Sequence, residues 1–341
     1  MQVGKANGGD IMRREVPVEQ AVGMTLAHDL TKIVPGEFKG RIFAKGHVIR
    51  EEDIPVLLDI GKRHIYVLDI ADDELHENDA AQIMANALAG SNVYQAPVHE
   101  GKIVLKAKHS GMLWVDAKRV TAMNMIDDIS ITTKMPFKHV DEGTSVAGIK
   151  PIPLVIDKKK VQAVEAIAKE SVGGNGIIDI MPYKPQKIVL ITTGSEIAAG
   201  RVEDKSGPVL REKFRKLGFE IDTQLFFSDE MDEISNAIVQ ASKDGATMVC
   251  ITGGMSVDPD DRSPGAIKKA ATHVVTYGVP LLPGSMMMLA YRHETVIFGL
   301  PGAVIYDPVT SFDVLLPRVL AGIAVTKKDI APLGVGGWLN V

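Results

Sequence analysis

The stretch Thr252-Gly253-Gly254-Met255-Ser256-Val257-Asp258-Pro259-Asp260-Asp261-Arg262-Ser263-Pro264-Gly265-Ala266 constrains the fold more than any other part of the chain. The residues just before it, 246–251, are a short apolar, partly β-branched run and predict a buried parallel strand. Residues 266–271 predict the start of a helix, with Ser263 as N-cap and Pro264 at the first helical position. The stretch is therefore a strand-to-helix crossing at the carboxyl end of a strand, where open α/β sheets place their ligands. Gly253 and Gly254 accept positive φ and let the backbone approach another group closely. The amides that follow can face an anion, and the helix N-terminus adds partial positive charge.

Asp258, Asp260 and Asp261 complicate a simple phosphate cradle, because clustered carboxylates repel an anion. A hard cation such as Mg²⁺ between carboxylates and substrate oxygens reconciles the two. The competing reading is an acidic surface turn whose aspartates act as turn formers and caps.

The surrounding pattern sets the fold class. From Lys187, short apolar runs alternate with amphipathic segments: 188–191 as strand, 207–217 as helix, 220–227 as strand, 229–241 as helix, then strands near 274–282 and 295–298 and a last long helix over 308–320. This alternation predicts an α/β domain, a mostly parallel sheet between two helical layers, over 176–341. Upstream, 1–75 predicts a small α+β segment, its helix opened by Glu52 or Asp53 and ended by Gly61. Residues 76–175 predict a β-rich accessory domain of short strands punctuated by glycine and proline, closed by an amphipathic helix at 161–169 and a Gly173–Gly176 linker. His76-Glu77-Asn78-Asp79 opens a helix, with Asn78 as the expected cap; capping is favoured there over metal ligation. Residues 1–10 are polar and glycine-rich, the composition of an unstructured arm, with Met12 an alternative start.

Composition narrows function by exclusion. A net charge of −5 and 5% aromatic residues argue against nucleic acid and against an anionic membrane surface as partners. The lone cysteine, Cys250, lies within an apolar strand pattern and leaves no intramolecular disulfide, which fits a reducing, cytoplasmic setting. No apolar run reaches the roughly 18–20 residues of a membrane span.

Gly253-Gly254 followed by Asp261-Arg262-Ser263-Pro264 resembles the Gly-Gly-x-Gly/Ser and Asp-x-Thr-Pro pattern of the molybdopterin-binding domain. That family includes molybdopterin adenylyltransferases, molybdenum insertases, gephyrin and competence-damage-inducible proteins. The resemblance covers about 187–325. Its other pieces occur in the family's order: Thr193-Gly194-Ser195-Glu196, Gly200-Arg201-Val202-Glu203-Asp204, Leu282-Pro283-Gly284 and Gly299-Leu300-Pro301-Gly302. It implies that molybdopterin, or its adenylylated form, is bound by Thr193, Gly194, Ser195, Glu196, Gly253, Gly254, Ser256, Ser263, Pro283, Gly284, Pro301 and Gly302. Asp261 and Asp204 are the implied catalytic residues, with Asp258, Asp260 and Asp261 holding Mg²⁺. It also implies a dimer or trimer, and a molybdoenzyme or another cofactor-assembly protein as partner.

The departures from the family are specific. Ser195 replaces the acid of Thr-Gly-Asp-Glu, Ser285 the lysine of Pro-Gly-Lys-Pro, and Ala303 the asparagine of Leu-Pro-Gly-Asn-Pro. Residues 14–29 and 43–67 are similar to insertase segments, but the insertases' Asn-Ser-Ala-Met-Asp-Gly-Tyr-Ala stretch is missing between Asp29 and Phe43. The resemblance leaves three functions open: a divergent molybdopterin molybdenumtransferase, a carrier that holds molybdopterin without reacting it, or a nucleotide pyrophosphatase of the competence-damage-inducible type.

Overall fold

The computed structural model describes residues 13–34, 38–68, 70–169, 176–256 and 261–339. Met1–Asp10 and the carboxylates of Asp258 and Asp260 lie outside them. The chain forms two compact units, one of Met1–Lys106, Val115–Lys134 and Ser145–Asp179, the other of Ala107–Trp114, Met135–Thr144 and Ile180–Val341.

The first unit begins with an antiparallel sheet in which His64–Leu68 pairs with Arg13–Pro17 and Thr25–Leu26. Val18, Leu26, Ile49, Leu57 and Val67 form its core. The short helix Asp53–Asp59 stands where the sequence puts it, and Gly61 ends it at φ +77°. A second antiparallel sheet runs Ile129–Thr133, Ser145–Pro151, Ile103–Ala107, Val93–Gln95, as expected of the β-rich segment. The helix Glu77–Leu88 packs against Lys158–Lys169. Its N-cap is His76 and not the expected Asn78: His76 Nδ1 accepts the Asn78 amide at 3.2 Å. Burial lowers the pKa of this imidazole, so it remains a neutral acceptor at Nδ1. The helix Ala117–Asn124 has no counterpart in the sequence reading, because only Val120 and Met123 bury an apolar side chain there.

The second unit is built on a six-stranded sheet. Its strands are β1 (Ile188–Thr193), β2 (Thr223–Phe227), β3 (Met248–Thr252), β4 (His273–Tyr277), β5 (Met288–Arg292) and β6 (Thr295–Leu300). The order is β2-β1-β3-β6-β5-β4. β2, β1, β3 and β6 run parallel, and β5 is antiparallel to both of its neighbours. Four longer helices cover it: α1 (Ser206–Arg215), α2 (Met231–Lys243), α3 (Ser263–Ala270) and α4 (Ser311–Leu320).

The strand alternation divides the core in two. Ile188, Leu190, Met248, Cys250 and Phe298 pack with Leu210 and Phe214 of α1 and Phe312 and Leu315 of α4. Val189, Ile191, Val249, Ile251 and Ile297 pack with Ile234 and Ile238 of α2 and Ala266 and Ile267 of α3. This is the expected sheet between two helical layers. β1 and β3 are buried along their whole length, which is why they read as continuous apolar runs. Cys250 is fully buried, and burial raises its thiol pKa far above the reactive range, so it serves as core.

Candidate functional site

The strand order fixes where a ligand can sit. After β1 the chain moves to β2 on one side and then to β3 on the other, so the carboxyl ends of β1 and β3 flank a switch point. The register brings Thr192 beside Thr252, and both are buried. Thr252 Oγ1 lies 3.4 Å from Thr192 Oγ1 and 2.9 Å from Ser206 Oγ. Gln224 of β2 donates through Nε2 to Thr192 Oγ1 at 3.0 Å and to Asp204 Oδ2 at 2.6 Å. The floor of the crevice is thus a hydrogen-bonded layer of side chains from three strands and one helix start.

Asp204 organises the start of α1. Its Oδ1 accepts from the Ser206 amide at 2.9 Å and the Ser206 hydroxyl at 2.7 Å, and both of its oxygens lie 3.1 Å from the Gly207 amide. Burial works to raise its pKa, but hydrogen bonds from Ser206, Gln224 and Gly207 outweigh it and hold the carboxyl below its usual value. Both oxygens are therefore taken up within the protein.

The central loop leaves β3 through Gly253 at φ +91° and Gly254 at φ +54°. A Cβ on Gly253 would lie 2.2 Å from the Thr193 carbonyl oxygen, so the close approach that requires this glycine is to the chain's own β1. Ser263 does not cap α3 as expected: Arg262 holds the N-cap position, and no side chain caps the helix. The fully buried Ser263 hydroxyl instead donates to the Gly253 carbonyl at 2.8 Å and lies 3.3 Å from Thr193 Oγ1. It ties the first turn of α3 back onto the glycine pair. Asp261 is half-buried on the returning limb, and Ser256 is exposed. The phenol pKa of Tyr277 is raised by burial first and by the Asp261 charge second.

The loop after β1 turns at Gly194, φ +139°, into the short helix Ser195–Ala198, leaving Ser195 and Glu196 exposed. Ser195 donates through its amide at 2.9 Å and its hydroxyl at 3.1 Å to one oxygen of Asp229. Asp229 lies just beyond β2, and it is the site residue that the sequence reading took only for a helix opener. It brings a carboxylate within hydrogen-bond reach of Ser195. The two residues are 34 positions apart, and only the β1–β2 pairing brings them together.

Pro283 and Gly284 follow β4 at the same edge, with a cis Leu282–Pro283 bond and φ +101° at Gly284. The Ser311 hydroxyl donates to the Gly284 carbonyl at 2.7 Å and the Ser311 amide to that of Pro283 at 3.1 Å, which moors this turn on α4. Pro301 is buried at the exit of β6, while Gly302 has open space where a Cβ would be.

The described residues do not by themselves make a Mg²⁺ site. No three His, Cys, Asp or Glu side chains gather among them to hold a metal, and the Asp204 oxygens are already engaged. A cavity of about 580 Å³ lies at the opposite, amino edge of the sheet, lined in part by Thr247, Tyr291 and Val296. Its lining lies at the amino ends of β3 and β6, whereas the switch point is at the carboxyl ends of β1 and β3. A cavity of about 460 Å³ between Pro208, Lys213, Tyr306 and Pro308 adjoins the carboxyl edge. No helix among the described residues is long and apolar enough to cross a membrane.

Comparison with known proteins bears on this edge directly. Residues 189–321 match the family described as "Probable molybdopterin binding domain", and residues 15–69 match a "Domain of unknown function (DUF8806)". A molybdopterin molybdenumtransferase of Staphylococcus aureus is 26% identical over 180 residues, covering 51% of this chain and 42% of that protein. A molybdenum cofactor biosynthesis bifunctional protein of Synechococcus elongatus is 31% identical over 144 residues, covering 42% of this chain and 44% of that protein. The chain thus spans less than half the length of these relatives. Among solved structures, the molybdopterin biosynthesis enzyme MoaB of Thermus thermophilus is similar at 21% identity and a TM-score of 0.36, over 40% of this chain and 98% of that one. The family match is confined to residues 189–321 of the chain.

Proposed function

We propose that this chain binds molybdopterin, or its adenylylated form, along the carboxyl edge of the parallel sheet and acts in assembly or delivery of the molybdenum cofactor. The observation that carries the reading is the switch-point crevice between β1 and β3, built from the segments that match the family. Thr193 to Glu196, the Gly253–Ser256 limb, Ser263 and the Pro283-Gly284 and Pro301-Gly302 turns are the proposed ligand contacts. Asp261 and Asp229 are the proposed carboxylates at the reacting end. Asp204 receives a positioning task, because both of its oxygens already hold α1 and Gln224. A molybdoenzyme or another assembly protein as recipient, and self-association of the chain, belong to the same proposal.

A second reading, a carrier that holds the pterin without reacting it, is favoured by Ser195, Ser285 and Ala303, which replace an acid, a lysine and an asparagine of the family pattern. A group that orients or neutralises a reacting atom is commonly worth about 10²–10³-fold in rate. Asp229 supplies one carboxylate beside Ser195. Molybdate insertion is therefore expected to be at least about 10²-fold slower than in an ordinary insertase given the same adenylylated substrate. AMP release and reconstitution of a cofactor-free molybdoenzyme measure it. Turnover equal to that of the ordinary insertase would remove the carrier reading, and failure to bind molybdopterin would remove both. AMP release from simple dinucleotides without any pterin dependence would favour the pyrophosphatase alternative.

A further inference from the structure

The central loop is held at its stem by a residue from the far side of the sheet. Tyr277, the last residue of the edge strand β4, has its hydroxyl 3.1 Å from the Met255 carbonyl and 3.1 Å from the Ser256 carbonyl. Those two residues belong to the outgoing limb of the loop, 253–256. A hydroxyl has one proton to give. With two carbonyls in reach, it can keep a bond as the limb shifts.

The side chain reaches this place because β4 contains an extra residue. Val274 pairs with Ala290 and Thr276 with Leu289, so Val275 is left over as a bulge. Strict alternation would put Tyr277 on the face of Val275, which packs with α1 and α4. After the bulge the alternation resumes out of phase, and Tyr277 packs with Val274, Met255 and Ile267 on the face of α2 and α3. Lys268 of α3 places its ammonium 5.7 Å from the ring centroid on that face.

We infer that Tyr277, aimed by the bulge at Val275, is the positioning residue of the 253–256 limb, and that it pre-organises this limb for the ligand. The inference rests on the ligand reading given above. Holding a loop in its bound arrangement before the ligand arrives removes an ordering cost from binding.

Tyr277→Phe tests it, since the variant keeps the ring and its contacts and loses only the hydroxyl. Amide hydrogen exchange over 253–256 should speed up by about tenfold, with β3 and β6 unchanged, and the Kd for molybdopterin should rise by about tenfold. Unchanged exchange at 253–256 would overturn the inference whatever the ligand does. Faster exchange with undiminished molybdopterin binding would overturn it too, because the loop would then be held for a purpose other than this ligand. If the parent protein itself fails to bind molybdopterin, the ligand reading falls, and the exchange comparison alone decides whether Tyr277 holds the loop.

Discussion

Gly253 and Gly254 are neighbours under different constraints. Gly253 has φ +91° and would place a Cβ 2.2 Å from a backbone oxygen, whereas Gly254, at φ +54°, would place one 3.3 Å from the Ser263 hydroxyl. Left-handed backbone alone costs an alanine roughly 1–2 kcal/mol, and forcing atoms into a packed space costs roughly 1–3 kcal/mol more. Gly253→Ala is therefore expected to lower stability by about 3 kcal/mol and Gly254→Ala by about 1 kcal/mol, read from urea denaturation midpoints. Equal losses would mean that the approach to Thr193 is not what requires glycine at 253. Asp204 gives a second test at this scale. Its folded pKa is depressed, so its contribution to stability is present above the unfolded value of 3.8 and is lost as pH falls through the lower folded value. Asp204→Asn should cost about 1–2 kcal/mol at pH 7 through lost hydrogen bonds. The gap between parent and variant should close as the pH is taken below 3.8. A gap that persists undiminished in acid would show that the carboxylate charge is not what stabilises the start of α1.

At the scale of elements, α3 shows how a local signal can be right in type and wrong in task. Ser-Pro at a helix start predicts a cap, and the helix does begin there, but the Ser263 hydroxyl is drawn inward to the Gly253 carbonyl. Ser263→Ala leaves that buried region short of a donor and should cost about 1–2 kcal/mol, whereas loss of a cap alone would also fray the first turn of α3. Hydrogen exchange separates the two: the expected change is at 253–256, and a change confined to 264–267 would restore the capping role. β1 and β3 were legible because both of their faces are buried and every position is apolar or a small hydroxyl. β5 was not, because Met288–Arg292 lacks β-branched residues and its antiparallel pairing is set by β6 and β4. Asp229 was not legible as a site residue, since its partner Ser195 is brought to it only by sheet pairing. The bulge at Val275 left no mark in the sequence either, because bulging depends on the partner strand.

At the scale of the molecule, the second unit follows from one rule: four parallel strands deliver their loops to one edge, and a change of winding direction opens that edge between β1 and β3. Thr193, Gly253, Gly254 and Ser263, singled out in sequence, come together at this edge, while the 580 Å³ cavity lies at the other. The first unit contributes a separate core of its own, and residues 15–69 within it match a domain of unknown function. The account stands or falls on what the carboxyl edge binds. The most direct measurement is equilibrium binding of molybdopterin to the parent chain and to the Asp261→Asn and Asp229→Asn variants, with thermal unfolding followed in parallel. The expected result is saturable binding by the parent and a Kd at least about tenfold higher in each variant, the equivalent of one charge-assisted hydrogen bond, with melting temperatures little changed. No saturable binding by the parent, or binding indifferent to both aspartates in folded variants, would contradict it.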